Sequence, residues 1–218
     1  MKKKRIGVIF PKDSEAFFVK DSNEPFGGAS VQMFSIAREL VKKNNVDSIS
    51  FVPAYKNMDR EILEKLHVCN MYRRGDSFFK RVLSFFRTVI FKPGADIIIQ
   101  HGLTRPSCIL ALFSAITGRK FVFMFASDVE VRGRFQSSNR RCYLFPLILR
   151  YAVLVTQNAY QQKFIAEKYG IKSFIYYSGF DFSHLEEAAK KPYVLWVSRA
   201  DKMKQPGLFV SLARDIPD

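Results

Sequence analysis

Short continuous apolar runs, rich in β-branched and aromatic residues, recur along this chain, and each is followed by a longer stretch of helical periodicity. Residues 5–10 (RIGVIF), 48–53 (SISFVP), 96–100 (DIIIQ), 120–125 (KFVFMF) and 153–156 (VLVT) are such runs, with weaker ones at 68–72 and 173–177. A run with no polar alternation belongs to a strand covered on both faces, which is the condition of a parallel sheet. Between the runs, Val31, Met33, Phe34, Ala37, Leu40 and Val41 fall on one side of a helix over 29–43, and 60–66, 77–91, 106–117 and 160–169 read as further helices. Strand and helix in alternation predict an α/β fold: a Rossmann-like, mostly parallel sheet with helices on both faces.

Open sheets of that type bind ligands beyond the carboxyl ends of their strands, so the residues that follow each run are the candidate site residues. After the first run and an extended loop come Gly27 and Gly28, directly before a helix. Paired glycines there let the backbone approach a ligand and leave amides for a phosphate or a hydroxyl, or they form an ordinary tight turn. The spacing is not GxGxxG, so the dinucleotide fingerprint is absent. His101 follows 96–100, where an imidazole can hydrogen-bond a ligand hydroxyl or serve the structure alone. Ser127, Asp128 and Glu130 follow 120–125 and can bind acceptor hydroxyls or cap a loop.

The segment 77–91 carries a broad aromatic stripe (Phe78, Phe79, Val82, Leu83, Phe85, Phe86, Val89, Ile90) and a polar back that includes Lys80, Arg81 and Arg87. Such a helix covers a sheet, or it lies on an anionic membrane surface with those three cations at the headgroups. Arg132, Arg134, Arg140 and Arg141 concentrate further charge in a polar loop that grips an acceptor phosphate or headgroup, or is simply solvated. Thirty-five Lys and Arg against 20 Asp and Glu give a net charge of +15, which calls for an anionic partner. Nucleic acid is not expected, because the aromatic residues lie in runs that read as buried and leave no stacking platform. The three cysteines, Cys69, Cys108 and Cys142, are not in CxxC pairs, and no metal spacing appears, so neither metal nor cofactor is expected. Without a signal-peptide pattern or a long apolar span, the expected location is the cytoplasm, at the inner membrane face if the basic helix touches lipid.

The stretch 192–217 reads as strand, loop and helix: an apolar run at 193–197, Arg199, the loop residues Lys202 and Lys204, then Pro206 opening a segment with Leu208, Phe209, Leu212 and Ala213 at helical spacing. A helix N-terminus flanked by Arg199 and Lys204 suits a diphosphate.

VLWVSR at 194–199, then Lys204 and LFVSLA at 208–213, resembles the opening of the nucleotide-sugar half of GT-B glycosyltransferases of family 4. Gly27-Gly28-Ala29 is similar to the family's N-terminal glycine-rich loop, and Gly179-Phe180-Asp181 to the segment before its interdomain linker. The resemblance implies an acceptor-side Rossmann-like domain over 1–182, a linker over 183–191, and the first strand and helix of a nucleotide-sugar domain over 192–218. It also implies that Arg199 and Lys204 hold the donor diphosphate without a metal, that His101 lies near the reacting sugar as the catalytic histidine, and that the substrates are a nucleotide-diphosphate sugar and a glycan or lipid-linked acceptor. Ser198 stands where the family usually has Gly, the histidine common near Ala126 is missing, and Ser178 and Phe180 depart from the usual pattern. The family's acidic motif would lie beyond Asp218, so the chain reads as a fragment of a retaining transferase, expected to be inactive alone. Sugar-nucleotide epimerases and glycogen-type phosphorylases share the fold, and a non-catalytic membrane-surface module is the alternative outside it.

Overall fold

The computed structural model describes residues 3–73, 75–91, 94–136, 138–177 and 205–215. Seven strands, β1 (Lys4–Ile9), β2 (Val46–Val52), β3 (Val68–Asn70), β4 (Ile97–His101), β5 (Lys120–Met124), β6 (Ala152–Thr156) and β7 (Phe174–Ile175), form one sheet in the order β3-β2-β1-β4-β5-β6-β7. Every pairing is parallel. Ile6 to Ile9 of β1 lie opposite Ser48 to Phe51 on one side and Ile97 to Gln100 on the other, so the apolar runs read from the sequence are the sheet's centre.

The connecting helices cover both faces. Val8, Phe10, Val52 and Met124 pack with Phe18 and with Met33 and Ala37 of α1 (Gly28–Val41) and Leu66, which follows α2 (Arg60–Lys65). On the other face, Ile9, Phe51, Ile98, Phe121 and Phe123 meet α4 (Arg105–Ile116), α6 (Phe145–Tyr151) and Ile165 of α7 (Ala159–Tyr169). Burying one such aromatic or aliphatic side chain is worth about 1.5–3 kcal/mol. Gly7 is required by that packing: a Cβ there would strike the fully buried Phe51 ring and come within 2.9 Å of the Ala95 Cβ.

Local signals fix the helix ends. Thr104 caps α4, accepting from the Ser107 amide at 3.1 Å in a reciprocal capping box, with Pro106 in the first turn. Asn158 caps α7 through the Gln161 amide at 2.8 Å, and Gly170, at φ +67°, ends it in the left-handed conformation.

The structure departs from the sequence reading in five places. Lys12–Phe17 forms a 3₁₀ segment where a plain loop is expected. The helix expected over 77–91 is α-helical only as α3 (Phe78–Phe86) and continues as a π-helical turn, Arg87–Phe91. Asp128–Val131 is a short helix, α5, and 143–149 contributes α6. The strand expected over 173–177 narrows to the two residues of β7.

The chain divides into two compact units, 1–179 and 180–218. In the second, α8 (Pro206–Asp215) opens on the expected proline. The linker over 183–191 and the strand at 193–197 lie outside the described residues. The first unit has the α/β, Rossmann-like fold, and no helix among the described residues is long and apolar enough to cross a membrane.

Candidate functional site

β1 and β4 are neighbours at the sheet's centre, and their chains leave in opposite directions, β1 toward β2 and β4 toward β5. Such a reversal opens a crevice at the carboxyl ends of the two strands. A cavity of about 450 Å³ lies at that edge. Ile9, Phe10, Pro53 and Met71 line it from the sheet side, and Phe78, Val82, Phe85 and Phe86 from α3, with Gln100, His101, Thr104, Lys12, Tyr72 and Arg81 as its polar members. Among the described lining residues none is acidic.

His101, the last residue of β4, is 7% exposed. Its Nε2 lies 3.1 Å from the Gln157 amide nitrogen, which only donates, so Nε2 accepts and Nδ1 carries the proton. Nδ1 is buried and has no partner among the described residues. Burial lowers the imidazole pKa to about 4, so the ring is neutral at ordinary pH. The site therefore holds one oriented N–H donor and no charge on the histidine. Beside it, Gln100 donates from Nε2 to Thr104 Oγ1 at 3.4 Å, and its Oε1 is buried without a partner. Gln100 and His101 both line the cavity, and each keeps one buried polar atom without a partner among the described residues.

Glu130 has a task different from the hydroxyl contact expected of it. It is 2% exposed, and its Oε1 accepts from the Leu103 amide at 2.9 Å while Oε2 accepts from the Ala126 amide at 2.8 Å. The carboxylate ties the loop after β4 to the loop after β5 and so holds the turn that carries His101. Burial raises its pKa, and the two amide bonds pull it partly back. Gly102, at φ +87°, makes that turn possible. Asp128 accepts from Gln161 Nε2 at 2.9 Å, and Ser127 precedes α5 with a buried, unpartnered Oγ.

The glycine pair is also engaged within the chain. The Gly27 amide donates to Asp13 Oδ2 at 2.9 Å, and Ser30 Oγ donates to Asp13 Oδ1 at 2.8 Å. A carboxylate from the 3₁₀ segment thus occupies the N-terminus of α1, where a phosphate, a sugar hydroxyl or an ordinary tight turn was expected. Gly28 is exposed with open space beside it.

Of the predicted residues, His101 and Arg81 line the cavity, whereas Gly27, Gly28, Ser127, Asp128, Glu130, Lys80 and Arg87 do not. Arg81 donates from Nε to the Asp76 carbonyl at 2.8 Å and lies 5.8 Å from the Tyr72 ring centroid. Lys80 and Arg87 are exposed on α3 and just after it. Arg199 and Lys204 lie outside the described residues. Gln100, Gln157, Thr104, Lys12 and Tyr72 escaped the sequence reading; only the polar Gln100 closing an apolar strand gave a signal. No group of three metal-ligating side chains exists among the described residues.

No family model matches the sequence, and no curated protein matches it. Solved structures do. A UDP-N-acetylglucosamine 2-epimerase aligns at 15% identity and TM-score 0.51 over 81% of this chain and 48% of its own. UDP-GlcNAc 2-epimerase from Neisseria meningitidis, bound to UDP-GlcNAc, aligns at 13% identity and TM-score 0.51 over 79% of this chain and 46% of its own. The chain spans about half the length of these proteins. At that identity the likeness is one of fold, and the epimerases share the GT-B fold with the glycosyltransferases of family 4.

Proposed function

We propose that this chain is the acceptor-side half of a retaining glycosyltransferase, which moves a sugar from a nucleotide-diphosphate donor to a hydroxyl of a glycan or lipid-linked acceptor. The observation that carries the proposal is the cavity at the β1/β4 switch point, lined by His101 and Gln100, each with a buried polar atom that has no partner among the described residues. Side chains able to donate and to accept, on two successive lining residues, suit the hydroxyls of a sugar. In this reading His101 hydrogen-bonds a hydroxyl of the acceptor beside the reacting sugar and fixes its position. Arg199 and Lys204 neutralise the diphosphate as it leaves, an electrostatic role that needs no metal.

The fold likeness favours a second reading, a sugar-nucleotide 2-epimerase. An epimerase must take a proton from carbon, and the described cavity lining offers no carboxylate as base. Transfer asks less of this half, since the leaving diphosphate supplies the driving group.

Incubation of the full-length protein with UDP- and GDP-sugars, with and without acceptor, separates the two. Nucleotide release that requires acceptor supports transfer. Inversion at C2 of the donor sugar with no acceptor present refutes it in favour of the epimerase, and no reaction in either case refutes both.

A further inference from the structure

The same cavity indicates what kind of acceptor it takes. Most of its wall is hydrocarbon, and α3 supplies the aromatic part through Phe78, Phe85 and Phe86. Phe78 both lines the cavity and is 74% exposed, and the adjoining Phe79 and Leu83 are 83% and 71% exposed. An apolar track therefore runs from the buried end of the cavity out along the surface of α3. Large exposed apolar side chains gathered on one short helix mark a contact surface.

Two cations flank this track. Lys12 and Arg81 line the cavity, are exposed, and have no carboxylate partner among the described residues. Exposed residues lie on the cavity's open side, so an entering ligand passes the hydrocarbon track and the two charges before it reaches the buried Gln100 and His101. A free nucleotide or a soluble oligosaccharide uses the charges or the buried polar pair and leaves the hydrocarbon unused. A ligand with a hydroxylated head, a phosphate and a hydrocarbon chain in series matches all three.

We propose that the cavity beneath α3 is the binding site for a lipid phosphate. The hydroxylated head reaches Gln100 and His101, the phosphate lies at Lys12 and Arg81, and the chain follows Val82 and Phe78 to the exposed Phe79 and Leu83. The identification of the ligand as the sugar acceptor rests on the transferase reading above; the binding site does not.

Dodecyl phosphate titrated into the full chain below its micellar concentration, followed by melting temperature and calorimetry, tests the proposal. Dodecyl phosphate is expected to raise the melting temperature, and inorganic phosphate at equal concentration to leave it unchanged. Val82→Trp, which fills the half-buried wall, is expected to abolish the shift. Lys12→Ala, at an exposed position that does not threaten folding, is expected to weaken binding about tenfold, the loss of one charge-assisted contact. Phe79→Ser, at the exposed end of the track, is expected to weaken binding about threefold, the loss of one apolar contact with the chain. Equal shifts in wild type, Val82→Trp and Lys12→Ala, or an equal shift with inorganic phosphate, overturn the proposal. Failure of sugar transfer alongside an intact, Val82-dependent shift removes the transferase reading and leaves the lipid-phosphate site standing.

Discussion

Replacing Glu130 tests whether the site is held by the carboxylate bridge or by the strands alone. Its two oxygens accept from the Leu103 amide at 2.9 Å and the Ala126 amide at 2.8 Å, and the side chain is buried. In Glu130→Ala both amides lose their acceptor, and each buried N–H left unpaired costs about 1–3 kcal/mol. Ala126 is only partly buried, so water recovers some of its share, and removing a buried charge returns some desolvation energy. The expected loss is therefore about 3 kcal/mol rather than the upper limit of about 6. Glu130→Gln keeps the shape and one carbonyl but points an amide N–H₂ at the second donor, so about 2 kcal/mol is expected. Urea denaturation at neutral pH, followed by far-ultraviolet circular dichroism, reads both changes as a lower midpoint at unchanged slope. If Glu130→Gln unfolds within about 0.5 kcal/mol of wild type, the bridge does not hold the two loops and the preorganisation argued for His101 fails with it.

Three further outcomes follow from the same structure. Burial depresses the His101 pKa to about 4, so the unfolded chain binds a proton between there and about 6.5; the histidine's contribution to stability is full above that window and is lost as pH falls through it, by up to about 3 kcal/mol, and His101→Asn should flatten this slope in denaturation curves taken at pH 4.5, 5.5 and 7. Gly7→Ala forces a methyl into the buried Phe51 ring and the Ala95 Cβ, and should cost about 1–3 kcal/mol by calorimetry; a stabilised variant would show that β1 has slack there. Asp13→Ala removes the acceptor of the Gly27 amide and the Ser30 hydroxyl and should cost about 1 kcal/mol, with Asp13→Asn nearer to wild type, in the same denaturation assay.

The central strands were legible because their signal is local. RIGVIF, DIIIQ and KFVFMF are apolar on both faces wherever they sit, and the sheet buries both faces. Helix α6 was not legible, since its seven residues show too few turns for a period, and Pro146 in its first turn reads equally as a loop signal. The switch from α to π geometry at Arg87–Phe91 coincides with Thr88, Val89 and Ile90, three β-branched residues in succession, which crowd the preceding turn of an α-helix. His101 was found because a strand end is a place the sequence can mark. Gln157, 56 residues away, was not, because only the adjacency of β5 to both β4 and β6 brings it to the imidazole. Asp13 was hidden for a related reason: its carboxylate accepts from the amide of Gly27, 14 residues later, at the entry to a helix.

Within the proposed function, the distribution of charge in the site limits which half of the reaction this unit would perform. Its histidine is buried and neutral, its one buried carboxylate near the turn is committed to two amides, and its lining cations are exposed at the cavity's open side. A site so arranged can orient hydroxyls and attract an anion, but it has no charge placed to stabilise one that develops at the buried end. Transition-state stabilisation of a departing diphosphate requires fixed positive charge where that charge appears. Within the proposed function, that demand falls on Arg199 and Lys204, and it assigns the two units separable duties: acceptor recognition to the Rossmann-like sheet, and activation of the donor to the segment that follows it. Substitution at His101 or Gln100 should then raise the KM for acceptor more than for donor, whereas Lys204→Ala should lower kcat and weaken donor binding with acceptor KM unchanged. Equal effects of His101→Asn on donor and acceptor would refute that division of labour.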